Sequence, residues 1–181
     1  MSLGEDILNH YQLYLGEYIN AEVYSDSQHN IQLLGYTNVF ENCLTFASFG
    51  LSNYSDSIAN SCEVVMAVDD DYDNCASVFM NALFFVMKEK MQFGRGTLIE
   101  GIEHISKEFT KLHNKSALFF THTYIFPDNF SEVSEKCKLY MAFFVTENEA
   151  EYIRKFGCEQ FEDLLEKKNC DIIDVNRASV V

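Results

Sequence analysis

Along this 181-residue chain the spacing of apolar residues switches repeatedly between the period of a helix and that of a strand, and this alternation most constrains its fold. Ile7, Leu8, Tyr11, Leu15, Tyr18 and Ile19 recur at helical spacing and predict an amphipathic helix over about residues 4–19. The period then changes. Ile31–Tyr36, Leu44–Phe49 and Val64–Val68 are short runs rich in β-branched and aromatic residues, separated by Asn, Ser, Asp and Gly, and they read as strands. The run at 64–68 lacks polar alternation, as a strand buried on both faces would.

Between Cys75 and Met91 the apolar positions 75, 78, 79, 82, 83, 86 and 87 return to the helical period, and Lys88 and Lys90 complement the negative end of that helix. Ala117–Phe126 and Leu139–Val145 predict two further strands. Thr146 with Glu149 forms a capping box, and Arg154, Lys155 and Gly157 supply a basic last turn and a left-handed C-cap, so a short helix spans about 147–156. Phe161, Leu164 and Leu165 mark one more short helix, ending near Asn169. Strands and helices that interleave in this way predict a mixed α/β (α+β) fold, a central mixed β-sheet covered by helices. One proline, eight glycines and no low-complexity tract leave no linker, so residues 1–181 read as a single domain.

Charge is distributed unevenly. Residues 1–87 contain 12 of the 28 acids and no lysine or arginine, a net charge of 0 − 12 = −12. Residues 88–181 carry 13 basic and 16 acidic side chains, a net of −3, which together make the formal −15. Such a surface repels phosphate backbones and steers basic proteins inward, so nucleic acid is disfavoured as a partner and a basic protein favoured. Many proteins are acidic only for solubility, and that reading stands beside it. No apolar run approaches the ~20 residues of a membrane-spanning helix, and the start of the chain has neither a basic region nor an apolar signal segment. Six single cysteines without a C-x-x-C pair read as reduced thiols, which fits a cytoplasmic protein.

Motifs for chemistry fail on inspection. Asp69, Asp71 and Asp73 match the first ligand positions of a calcium loop, but Asn74 replaces the glycine and Met80 the bidentate glutamate, so a solvated acidic turn is expected. Gly50-Leu51-Ser52-Asn53-Tyr54 begins like a nucleophile elbow, yet Tyr54 fills the second glycine position. Gly94, Gly96 and Gly101 do not form a dinucleotide fingerprint. The five histidines lack metal-ligand spacing, and His122 reads as a packed strand residue. No catalytic residue, cofactor or metal is therefore assigned, and a site assembled from distant residues stays open.

Two stretches carry a resemblance. Val39-Phe40 through Phe46-Ala47-Ser48-Phe49-Gly50-Leu51-Ser52, followed by Glu63-Val64-Val65-Met66-Ala67, is similar to the strand and Gly-(Leu/Met)-Ser turn of the suppressor-of-fused domain family. Glu151-Tyr152, Gly157, Phe161, Leu164-Leu165 and the ending Asp171-Ile172-Ile173-Asp174-Val175-Asn176-Arg177-Ala178-Ser179-Val180-Val181 resemble the family's closing signature. The resemblance covers about residues 38–181 and is strongest in 38–70 and 147–181. Asn53-Tyr54-Ser55-Asp56 departs from the family pattern, as does the lack of tryptophan.

The resemblance implies a non-catalytic protein-binding domain. Compact bacterial members resemble antitoxin or immunity proteins that neutralise toxins, often nucleases; eukaryotic members sequester transcription factors, which leaves a regulatory scaffold as the alternative. Gly50, Leu51, Ser52, Gly157, Asp174 and Arg177 are then family-motif residues with structural roles, Arg177 pairing with a carboxylate such as Asp174. The expected contact patch for a basic toxin is Asp69, Asp70, Asp71 and Asp73, with Glu63 and Asp56 as lesser contributors.

Overall fold

A computed structural model describes residues 2–181. Eight strands, β1 (Asn20–Ser25), β2 (Asn30–Thr37), β3 (Leu44–Phe49), β4 (Cys62–Val68), β5 (Leu98–Glu100), β6 (Ala117–His122), β7 (Glu132–Val133) and β8 (Cys137–Val145), form one sheet. Its order is β1-β2-β3-β4-β8-β6-β5, with β7 paired to β8. Only β4 and β8 run parallel; the remaining pairs are antiparallel, so the sheet is mixed, as the sequence predicts.

Helices cover both faces. On one lie α2 (Ser55–Ile58), α3 (Tyr72–Lys88) and α4 (Lys107–His113); on the other lie α1 (Leu3–Leu15), α5 (Glu147–Phe156) and α6 (Cys158–Lys167). The seven apolar positions of α3 picked out by their helical period are all buried, packed against Val64, Met66, Val68 and Phe120 of the sheet. Every residue of β4 is buried, because Val65 points into the opposite layer with Tyr11 and Phe143. Truncating a side chain such as the fully buried Phe79 to alanine would cost about 3–5 kcal/mol.

Two boundaries and one element differ most from the sequence reading. Helix α1 stops at Leu15 because Gly16 takes φ 86°, so Tyr18 and Ile19 lead into β1 instead of extending the helix. The strand expected over 117–126 ends at His122, where Tyr124 N–H donates to His122 O and Phe126 N–H to Thr123 O in successive turns. Strand β1 has no sequence signature, since five of its six residues are exposed and it is held by backbone pairing to β2.

Gly157 joins α5 to α6 with φ 90° and ψ 166°, a positive-φ cap whose extended ψ departs from the left-handed helical cap expected, because the chain turns directly into α6. A Cβ there would meet no atom within 4 Å, so the backbone angle and not crowding calls for glycine.

Candidate partner-binding face

Glu63 on β4 is fully buried with no cation bonded to it, and five donors surround its carboxylate. Oε1 accepts from Gly50 N–H (2.9 Å), Ser52 N–H (3.1 Å) and the Ser52 hydroxyl (2.8 Å). Oε2 accepts from the Ser48 hydroxyl (2.6 Å) and Leu51 N–H (3.2 Å). The Gly-Leu-Ser turn thus exists to wrap a carboxylate, and Gly50 at φ 103° aims its N–H inward. Burial pushes Glu63 above the usual carboxylate range, against the opposing pull of Ser48, Ser52 and Gly50. Glu63 therefore leaves the expected contact patch, because no partner can reach it.

Asp56 is exposed in the first turn of α2. It follows β3 at the end of the sheet opposite Asp69, with roughly 20 Å of β4 between them, so it joins no common patch with the Asp69–Asp73 turn.

That turn is used largely by the chain itself. Asp69 Oδ1 accepts Val175 N–H at 3.0 Å, and Asp70 Oδ2 accepts from the Asn176 amide at 3.4 Å. Asp71 Oδ2 lies 2.8 Å from His113 Nε2, whose Nδ1 is 2.7 Å from Asn176 Oδ1. Three aspartates thereby tie the C-terminal tail to the start of α3, although Asp69 and Asp70 remain exposed while doing so. Asp73, one residue into α3, faces a groove instead.

Arg177 pairs with a carboxylate as expected, but the partner is Glu149 and not Asp174. Its guanidinium forks onto Glu149, with Nη1 to Oε1 at 2.6 Å and Nη2 to Oε2 at 3.0 Å, and also donates to Phe144 O at 3.1 Å. Asp174 instead accepts Asn176 N–H at 2.7 Å, a turn that swings Arg177 inward. Glu149 also accepts Thr146 N–H (2.9 Å) and Val180 N–H (3.0 Å), so the capping-box glutamate anchors the tail as well. Burial alone would raise Glu149, but Arg177 and these N–H groups outweigh it and hold the carboxyl below its usual range. Lys115, 1 % exposed, donates to Arg177 O at 2.6 Å; burial and the Arg177 charge pull its ammonium down to about 8.

Glu22, Asp26 and Asp73 lie near the free edge of the sheet formed by β1. Strand β1 ends in a tight turn where Asp26 N–H donates to His29 O (3.0 Å). Antiparallel alternation from that pair bonds Asn20, Glu22 and Tyr24 to β2 and turns the backbone groups of Ala21, Val23 and Ser25 outward. On the α3 side, Glu22, Tyr24, Leu33, Phe46, Tyr72 and Asp73 line a groove of about 320 Å³. The Tyr24 hydroxyl donates to Glu22 Oε2 at 2.9 Å. Burial, that bond and the charges of Glu22 and Asp73 push Tyr24 up to about 12, so both carboxylates act on one spot.

Tyr72 also borders a second groove, with Phe40, Glu41 and Cys43, where burial and the Asp69 and Asp171 carboxylates raise the Cys43 thiol. No lysine or arginine lines either groove. Sequence reading missed Glu22, Tyr24 and Tyr72. Their only signal was membership of the basic-free segment, and β1 itself was invisible.

Among the described residues no group of three or more His, Cys, Asp or Glu could hold a metal ion, and no helix is long and apolar enough to cross a membrane.

Comparison with known proteins places these features. The family Suppressor of fused protein (SUFU) matches residues 27–178. The immunity protein YqcF of Bacillus subtilis (strain 168) is 24% identical over 149 residues, covering 78% of this chain and 76% of that protein. A suppressor of fused homologue from Neisseria gonorrhoeae FA 1090 superposes with a TM-score of 0.77 at 13% identity, over 99% of this chain and 97% of its own. The Sufu–Fu complex gives 0.67 at 11% identity, over 97% and 91%. Drosophila Suppressor of Fused gives 0.61 at 12%, and this chain spans 50% of its length.

Proposed function

The chain belongs to the suppressor of fused family, and from that premise we propose that it is a non-catalytic immunity-type protein that neutralises a basic toxin, of which a nuclease is the fitting kind, by direct stoichiometric binding. The observation that carries this reading is the acidic face built from β1, the β2–β3 loop and the start of α3, whose two grooves contain no basic side chain. A nuclease needs a basic cleft for its phosphate substrate, and a negative surface with complementary shape can occupy that cleft. The relative named as an immunity protein supports the same role.

In this reading Asp73, with Glu22 and Glu41, contributes the contact charge, while Asp69, Asp70 and Asp71 serve the tail and add to the field. The protein acts in the cytoplasm, where such a toxin would do its damage.

Co-expression with the protein encoded by the neighbouring reading frame tests the proposal. Restored growth and a co-purifying complex whose affinity falls with added salt are expected; continued killing with no complex would overturn it. A second reading, a scaffold that sequesters a regulatory protein, is favoured by the likeness to the chain in the Sufu–Fu complex. It predicts no rescue from the neighbouring product.

A further inference from the structure

The groove beside β1 has the chemistry of a receptor for one kind of side chain. Its floor is apolar, made by Leu33, Phe46 and Ala76, and two tyrosines, Tyr24 and Tyr72, stand among the lining residues. Glu22 and Asp73 bring carboxylates to it, and Asn20 carries an amide whose Oδ1 lies over Gly35, closer than a Cβ there would tolerate. All lining residues fall between Ile19 and Ala76, inside the segment without lysine or arginine, so the chain supplies no neighbouring cation of its own from that segment.

An apolar floor, two aromatic rings and two carboxylates match a guanidinium better than an ammonium. The planar group can stack on a tyrosine ring while its N–H fork meets carboxylates, and it gives up water more readily than a lysine head. The groove's volume of about 320 Å³ accommodates a single long side chain and not a folded element. A second copy of this chain is the alternative occupant, but two copies each of formal charge −15 repel one another.

We propose that the groove between β1 and the first turns of α3 is a receiving slot for an arginine side chain of the basic partner protein, held by Glu22 and Asp73 against Tyr24 and Tyr72. The proposal rests on the immunity reading for the identity of the partner, but the slot itself can be probed without it. Arginine seated there would anchor the complex as a desolvated hot spot, with the surrounding acids setting the rate of approach.

The test is an NMR titration of the full chain with the tripeptide acetyl-Gly-Arg-Gly-amide, beside the same peptide carrying citrulline, which keeps the shape and loses the charge. Saturable shifts confined to Tyr24, Tyr72 and their neighbours are expected with arginine and not with citrulline. Glu22→Gln combined with Asp73→Asn should weaken that binding at least about tenfold while the rest of the spectrum stays native. Equal responses to both peptides, shifts spread over Asp56 and other distant acids, or unchanged binding by the double variant would each overturn the slot. So would concentration-dependent self-association lost in the same variant, which would make the face a contact between two copies. Because the peptide reads the slot whether or not a toxin is captured, failure of the slot and failure of the immunity reading are separate results.

Discussion

At the tail end of the molecule Glu149 meets Arg177 in a buried, bidentate pair, whereas at the β1 end Glu22 and Asp73 border a groove whose lining holds no cation. Both regions place carboxylates against the same sheet, one beside the central strand β8 and the other at the β1 edge. The first removes its charges from water and pairs them internally, with Arg177 Nε alone of the pair's polar atoms left without a partner, and so fixes the chain's course. The second leaves its charges solvated, where they add little to stability and project a field outward. The contrast separates acids that specify the fold from acids available to a partner, and substitutions can test it on each side.

The largest effect belongs to the pair. Arg177→Ala strands Glu149 as a buried carboxylate and releases Phe144 O and Ala178 O, so about 3–5 kcal/mol of stability should be lost in urea denaturation. Arg177→Lys should recover only part of it, because an ammonium cannot fork onto both oxygens. If Arg177→Ala costs less than about 1 kcal/mol, the tail is not held by this pair and the contrast collapses.

Next in size is Glu63→Gln. It swaps an acceptor-only carboxylate for an amide whose NH₂ faces donors, with an expected loss of about 1–3 kcal/mol by the same measurement.

These two glutamates also bend the pH dependence in opposite directions. Glu149 is depressed in the folded state, so its contribution is complete above the ordinary value of 4.5 and is lost as pH falls through the lower folded value. Glu63 is raised, so its contribution is complete below the ordinary value and is lost as pH rises through the folded one. Acid titration of stability should therefore fall more steeply in Glu63→Gln than in the unmodified chain, and more shallowly in Arg177→Ala. The reverse order would show that the assigned directions are wrong.

What the sequence disclosed follows from how local each signal is. The capping box at Thr146 and Glu149 and the break at Gly157 sit within one turn of the features they control, and they were readable. The seven buried positions of α3 were readable because a helical period repeats over 17 residues. Arg177 was assigned to Asp174, three residues away, because the true partner lies 28 residues earlier and is brought near only by the tail's return across α5. Glu63 precedes the apolar run 64–68 and reads as a contact residue, because its meaning depends on donors 11 to 15 residues back across the β3–β4 pair. Strand β1 left no pattern because neither of its faces is deeply covered, and with it went Glu22 and Tyr24.

The smallest expected effect on stability closes the comparison from the other side. Glu22 and Asp73 are exposed, so Glu22→Gln and Asp73→Asn each should change stability by no more than about 0.5 kcal/mol. Their double substitution should not exceed about twice that, and relief of like-charge repulsion could make the chain slightly more stable. The same substitutions should slow association with a basic partner and flatten its dependence on ionic strength, since rim charges act mainly on the rate of encounter. Stopped-flow association at low and high salt, run beside urea denaturation, reads both quantities on the same protein. A variant that unfolds early would place these acids with the buried pair; one that keeps its stability but loses its salt dependence would place them where a partner can use them.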